Sequence, residues 1–480
     1  MKIVRMLVRR VSRALTRSYE AASRGNRMSN WFSRNKSAKD EISVGQGTAR
    51  SRARDLLRNN HWAVKARSVV VNNTIGTGII GYFSSPSKRS QVKVSEAFKK
   101  WANSSEASFD RNNTFFGIQS MVMSTVFESG TCYVIKRLVK DAEFPLTLRV
   151  LEPEFLDRAR NGSFDGRDVI DGVAYDTEGR VAGYYFFRYF PGDKVNMSGN
   201  LKNDSSFFLV DDVAVVFRQE RPGMVEGMTW LHPVIVALKD LDGYEDSIRL
   251  AQKIAACYAG FISDPDGNSS DMVTAELSEK LTPGTMQVLP PGRDVKFSTP
   301  PQPAGMDSFL RMSIRQIAAG TGVTYEALSG DYSDVNFSSG RMGWLEFQRS
   351  VEVWRWMMIV PMLLDRVGKW FIDTCELTDI GVVPKGSFFR WTPPRREMID
   401  PEKELNAIKM GVRNGLLTLA EGVRMAGYDF EEFIQEYKDC NDLLDKFELV
   451  LDSDPRKTNT QGTLQTEKDT SSNTQSVNNP

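Results

Sequence analysis

The side chains of this chain that are able to do chemistry are few and scattered. Its two histidines, His61 and His232, stand in the contexts Asn-His-Trp and Leu-His-Pro, far apart and in no catalytic spacing. Each is read as a packing or hydrogen-bonding residue. Gly76, Gly78 and Gly81 satisfy GxGxxG. That pattern cradles a pyrophosphate when it follows a strand and opens a helix, because the diphosphate then meets free amides of the first turn. Here a predicted helix precedes it and Tyr82-Phe83-Ser84-Ser85-Pro86 follows, so the glycines are read as a turn and no cofactor is expected. Asp264, Asp266 and Asn268 begin like a calcium loop. Its sixth position, however, is Ser269 where the turn needs glycine, its twelfth is Ala275 where a bidentate Glu belongs, and Glu276 comes one residue late. A polar turn is expected there, and no metal. The carboxylate pairs Glu152 with Glu154 and Asp211 with Asp212 are read as solvated faces. HExxH, GxSxG and GxxxxGK(S/T) do not occur, and Gly368-Lys369 runs into Trp370 without the earlier glycine of a phosphate cradle. No catalytic residue is expected, and the chain is not read as an enzyme.

Composition argues against a role in tight nucleic-acid binding. The 62 basic and 61 acidic residues leave a net charge of +1, whereas a domain that grips nucleic acid concentrates cations to displace counterions. Near-neutrality is permissive only: it fits a surface that nucleic acid touches weakly as well as no nucleic-acid contact at all. The longest apolar run, 356–364, is too short to span a bilayer, so no membrane partner is expected. Cys132, Cys257, Cys375 and Cys440 form no CxxC pair and are read as reduced thiols.

The elements are organised around the stretch 320–371. It opens as a polar loop, where Gly330, Asp331, Ser333, Asp334 and Asn336 disfavour helix and sheet, and passes at Ser338 and Ser339 into a long helical pattern. Either serine is expected to cap that helix. Its core face reads Leu345, Val353, Trp356, Met357, Val360, Leu364, Val367 and Phe371, and Pro361 is expected to kink it.

Before this segment, residues 1–40 carry eleven Lys and Arg against Glu20 and Asp40 and form a basic amphipathic arm. One helix is predicted over 48–73, then helices over 95–101 and 114–129. Strand signals follow at 131–138, 146–151, 173–175, 181–189 and 207–217, which suggests a small antiparallel subdomain. Helices are predicted over 233–263, whole or broken near Gly243, and over 306–319. Between them lie a short helix at 272–281 and a hairpin of 285–289 with 295–298. After a Pro- and Gly-punctuated connection at 381–394 come helices at 401–414, 418–426 and 429–448, with Asp400 and Thr418 as caps. Residues 453–480 are too polar to bury a core, and a disordered tail is expected.

The order G-V-x-Y-E-x-L-(S/T)-G-D-Y-S-x-V-N-(F/Y)-S-S-x-R, which reads here from Gly322 to Arg341, resembles the portal proteins of tailed bacteriophages, in particular the lambda family. A second likeness runs from Arg54 through Asn59 to Gly76-Thr77-Gly78-Ile79. The resemblance implies an α+β, mainly helical subunit of a ring, usually of twelve. It divides the chain into a basic arm (1–47), wing (48–232), stem helix (233–263), clip (264–303), second stem helix (304–322), tunnel loop (323–338), kinked wing helix and connection (339–399), crown (400–452) and tail (453–480). It implies a channel at one capsid vertex for packaging and ejecting double-stranded viral DNA. The other implied partners are the terminase large subunit, the major capsid or scaffold protein, and neck or adaptor proteins. The subunit would reside in the virion, and in the host cytoplasm during assembly. Tyr325, Asp331, Tyr332, Asp334, Asn336 and Phe337 would then face the tunnel, the acids repelling phosphate while the aromatic residues brace the loop or touch DNA. Arg293, Asp294 and Lys296 on the clip hairpin would meet terminase and then the neck. The alternative is a monomeric or dimeric nucleic-acid-binding protein that uses its basic arm.

Overall fold

The computed structural model describes residues 35–140, 142–193, 204–256, 260–262, 286–288, 305–395, 398–428, 430–452, 454 and 456–458. The chain is mixed helix and sheet. Helix α1 (Ala38–Asn59) begins within the stretch read as an arm, with Ser37 accepting a hydrogen bond from the Asp40 amide. Gly45 and Gly47 do not stop it, because burial of Ala38, Gln46, Arg50, Ala53, Leu56 and Leu57 outweighs their weak helical preference. The single helix expected over 48–73 is two. Asn60 is extended and caps α2 (His61–Thr74) by accepting from the Ala63 amide.

Gly76 (φ +57) and Gly78 (φ +115) then turn the chain into strand β1 (Ile80–Ser84), not into a helix. A side chain at Gly78 would meet Phe116 at 2.4 Å, so packing as well as conformation requires glycine there. After α3 (Lys88–Asn103) and α4 (Phe115–Ser129) come β2 (Thr131–Leu138) and β3 (Leu146–Leu151). The next strands are β4 (Gly162–Phe164), β5 (Arg167–Ile170), β6 (Val173–Tyr175), β7 (Val181–Phe187), β8 (Ser205–Leu209) and β9 (Val213–Phe217). They form two antiparallel sheets, β3-β2-β9 and β4-β5-β6-β7-β8. The stretch 207–217, read as one strand, is two in different sheets, separated by a 3-10 turn at Val210–Asp212. Tyr133, Ile135 and Leu151 of the first sheet pack against Val173, Tyr184 and Phe186 of the second.

Helix α5 (Ile235–Ala256) runs unbroken through Gly243. Strands β10 (Gly260–Ile262) and β11 (Met286–Val288) pair in parallel. The expected hairpin partner at 295–298, the helix at 272–281, the calcium-like loop and the clip residues Arg293, Asp294 and Lys296 lie outside the described residues, as do the first 34 positions and 459–480.

Helices α6 (Met306–Thr321), α7 (Tyr325–Ser329) and α8 (Phe337–Trp354) lead into a π-helical segment, Arg355–Leu364, and then α9 (Asp365–Cys375). Pro361 sits inside the π-helical segment, whose wider turns accommodate a residue with no amide to donate. The same widening corrects the expected core face. Val360, Leu364, Val367 and Phe371 are buried, but Leu345, Val353, Trp356 and Met357 are 49, 54, 44 and 70% exposed. Phe347, Val351, Trp354, Met358, Ile359 and Leu363 take the inner positions. A constant helical phase carried back from Phe371 through the wider turns points to the wrong side of α8.

The 381–394 connection contains strand β12 (Phe388–Thr392), which pairs antiparallel with β1. Phe389 and Trp391 thereby join Phe98, Trp101, Phe115 and Phe371 in the aromatic centre of the main core. Helices α10 (Pro401–Arg413), α11 (Leu419–Met425) and α12 (Phe430–Lys446) close the described chain, with Asp400 and Thr418 capping as expected. No helix among the described residues is long and apolar enough to cross a membrane.

Candidate functional site

The loop between α6 and α8 is built by a succession of local hydrogen bonds. Gly322 (φ +75) ends α6 in the left-handed conformation that closes a helix, its amide donating to the Ala318 and Ala319 carbonyls. Thr324 caps α7 by accepting from the Ala327 amide, Leu328 anchors this short helix in the core, and Gly330 (φ +71) ends it. Asp331 then shapes the turn. Its Oδ1 accepts from the Ser333 amide (3.1 Å) and hydroxyl (2.6 Å), and its Oδ2 accepts from the Tyr325 hydroxyl (3.2 Å). Asn336 caps α8 by accepting from the Ser339 amide at 2.9 Å, while the Ser339 hydroxyl accepts from the Asn336 amide at 3.2 Å. Thus neither serine is the cap: Ser339 completes a reciprocal box that starts at Asn336.

One arginine ties this loop to α6. Arg311 reaches Asp334 Oδ2 at 2.6 Å, Asp307 at 3.1 Å and Asp331 at 3.9 Å, while Arg315 lies 5.2 Å from the centre of the Tyr325 ring. The Ser333 hydroxyl holds the Asp331 carboxyl below the usual carboxylate range, with help from Tyr325 and Arg311. Asp334 raises the Arg311 guanidinium, with Asp307 and Asp331 adding to it. Three carboxylates on one guanidinium leave the group two charges negative. Its acidity is therefore partly compensated.

The structure gathers Tyr325, Asp331 and Asp334 around Arg311, gives Asn336 a capping task, and leaves Tyr332 and Phe337 64 and 58% exposed. Arg311 and Arg315 did not stand out in the sequence; the signal was their one-turn spacing on a helix that runs into an acidic loop.

Elsewhere, Glu152 and Glu154 are not the solvated pair expected. Arg54 reaches Glu128, Glu152 and Glu154, each at 2.8 Å, and Arg50 reaches Glu154 at 3.3 Å. Burial foremost raises the Glu152 carboxyl, whereas for Glu154 the arginines overcome burial and lower it. The network joins α1 to α4 and to the chain after β3, which gives Arg54 a structural task. The histidines serve packing and hydrogen bonding: His232 Nδ1 lies 3.0 Å from the Thr229 carbonyl, and His61 lies against Trp62. Among the described residues, no three His, Cys, Asp or Glu side chains are placed to share a metal ion.

The family described as phage portal protein, lambda family, matches residues 24–355. The chain belongs to the lambda family of phage portal proteins. As a member it serves as a portal, the connector between phage head and tail, a structural role. The probable portal protein of Halomonas phage phiHAP-1 is 24% identical over 447 residues, covering 86% of this chain and 84% of that one. Portal protein B of Escherichia phage lambda is 22% identical over 452 residues, covering 81 and 82%. Among solved structures, the neck of a native gene transfer agent particle computed with C12 symmetry is similar at a TM-score of 0.41. Its identity is 13%, and the match covers 80% of this portal chain and 99% of that one.

Proposed function

We propose that copies of this chain close into a ring, of twelve, around an axial channel through which double-stranded viral DNA is packaged and later ejected. In this reading α5 and α6 are stem helices, the residues between them form the clip, and the loop 323–338 faces the channel. The observation that carries it is the loop itself: a turn braced on α6 by Arg311 that holds Tyr332 and Phe337 out into solvent. Its residual negative charge disfavours lasting phosphate contact, and weak contact suits sliding. The ring sits at one capsid vertex of the virion after assembly in the host cytoplasm, against the major capsid or scaffold protein. The clip, through Arg293, Asp294 and Lys296, receives the terminase large subunit and then neck or adaptor proteins.

The test is the mass and rotational symmetry of the purified protein, by mass photometry and electron-microscopic class averages, followed by deletion of residues 331–336. A closed ring with an opening of roughly 20 Å or more supports the conduit. The deletion is expected to leave the ring intact and to lower the yield of DNA-filled heads. A stable monomer or dimer, with DNA binding that is steep in salt and lost on removing residues 1–40, would establish the basic arm as the working part.

A further inference from the structure

The edge of the packed interface between the two sheets carries arginines that none of these roles uses. Arg149 on β3 lies opposite Ile135 on β2, and Arg137 sits two residues further along β2. Paired residues, and residues two apart on one strand, share a face of a sheet. Both guanidiniums therefore leave the three-stranded sheet on the side where Tyr133, Ile135 and Leu151 pack against the five-stranded one. They stand where that apolar core ends.

Arg188, just after β7, completes the group. Its carbonyl accepts from Arg149 Nη2 at 3.0 Å, and its own side chain is exposed. Aromatic rings wall the cluster. Arg137 lies 4.9 Å from the centre of the Phe208 ring, Arg149 lies 5.5 and 5.6 Å from Phe109 and Phe155, and Arg188 lies 5.4 Å from Tyr189.

Like charges gathered at one spot repel. Burial foremost, and then Arg137 and Arg188, hold the Arg149 guanidinium below its usual range, with Asp110 working against them. Arg54 shows how this fold satisfies an arginine that it uses internally, with three carboxylates. By contrast, among the described residues none of Arg137, Arg149 and Arg188 forms an ion pair, and Arg137 Nε is buried without a hydrogen-bond partner.

We propose that Arg137, Arg149 and Arg188 form a docking site for an acidic segment of another protein. A carboxylate seats among the three guanidiniums, whose forked donors match its two oxygens, and an apolar neighbour in the segment rests on Phe109 and Phe155. A protein segment fits better than nucleic acid because the cluster is compact, whereas a duplex presents charge along a line and is met by an extended row of cations. The cluster is also built on the sheets, apart from the 322–336 loop that rests on α6 and α2. The site does not depend on the channel reading.

The probe is a fluorescein-labelled hexaglutamate peptide, titrated into the full chain and followed by anisotropy. R188Q changes an exposed residue and leaves the core untouched; it is expected to weaken binding roughly tenfold, as loss of a charge-assisted hydrogen bond does. R149Q is expected to weaken it at least as much. R167Q removes an equal charge from β5, where Arg167 lies over Phe207, and is expected to change affinity less than about twofold. Wild-type affinity in R188Q overturns the proposal, and so does equal weakening by R167Q, which would mark bulk charge. Displacement of the peptide by a short DNA duplex more readily than by unlabelled hexaglutamate overturns it in favour of nucleic acid. Ring mass is recorded for each variant, so loss of peptide binding by intact rings concerns this site alone.

Discussion

Arg355 is the side chain whose replacement tests most directly how the long α8–α9 segment is held. It is 5% exposed, and it donates from Nε to the Thr74 carbonyl at 2.7 Å and from Nη2 to the Asn73 carbonyl at 2.8 Å. Those carbonyls belong to the last residues of α2, where a helix runs out of amide partners and its dipole is negative, so one cation satisfies both needs. A hydrogen bond to a charged donor contributes about 1.5–3 kcal/mol. Arg355→Ala removes two and strands acceptors around Thr74, which is 0% exposed, so a loss of about 4 kcal/mol is expected. Arg355→Lys keeps the charge but lacks the fork, reaches one carbonyl, and is expected to cost about 2 kcal/mol. The assay is urea denaturation of the unassembled subunit followed by tryptophan fluorescence. If both variants unfold within about 0.5 kcal/mol of the wild type, Arg355 does not secure α2 to the π-helical segment and the reasoning is refuted.

Other expectations are sharp enough to check. Leu345→Ser and Met357→Ser, on the exposed side of α8 and its continuation, should change subunit stability by less than about 0.5 kcal/mol in urea denaturation; a loss of several kcal/mol would return these residues to the core. The folded-state pKa of Asp331 lies below its ordinary value of 3.8, so its bracing of the loop is complete above that pH and is lost as pH falls through the lowered value. Protection of the Ser333 amide from hydrogen exchange should follow that course, and protection that persists at still lower pH opposes it. Burial pushes the Cys375 thiol up to about 12 and raises Cys132 as well, while Cys440 is exposed. Iodoacetamide at pH 8 should modify Cys440 and spare Cys132 and Cys375 in the native chain, and comparable rates at Cys132, Cys375 and Cys440 would contradict the burial of the first two.

Strands 131–138 and 146–151 were legible to the residue, because alternation and β-branched residues are local signals. The same holds for the caps Asp400 and Thr418, which act on amides three residues away. Likewise Gly322, Gly330 and the Asp331–Asn336 turn follow from short-range backbone demands. Contacts between distant segments set the rest. β12 is a strand because β1 lies beside it, some three hundred residues earlier in the chain. Glu152 and Glu154 are held by Arg54 from a helix a hundred residues away, so their spacing alone read as solvated. Asp331 and Asp334 looked like free acid until α6 brought Arg311 to them. The inner face of α8 depends on wide turns that accommodate Pro361 under packing from both sides, and a rotation of that kind leaves no trace in a pattern counted at constant period.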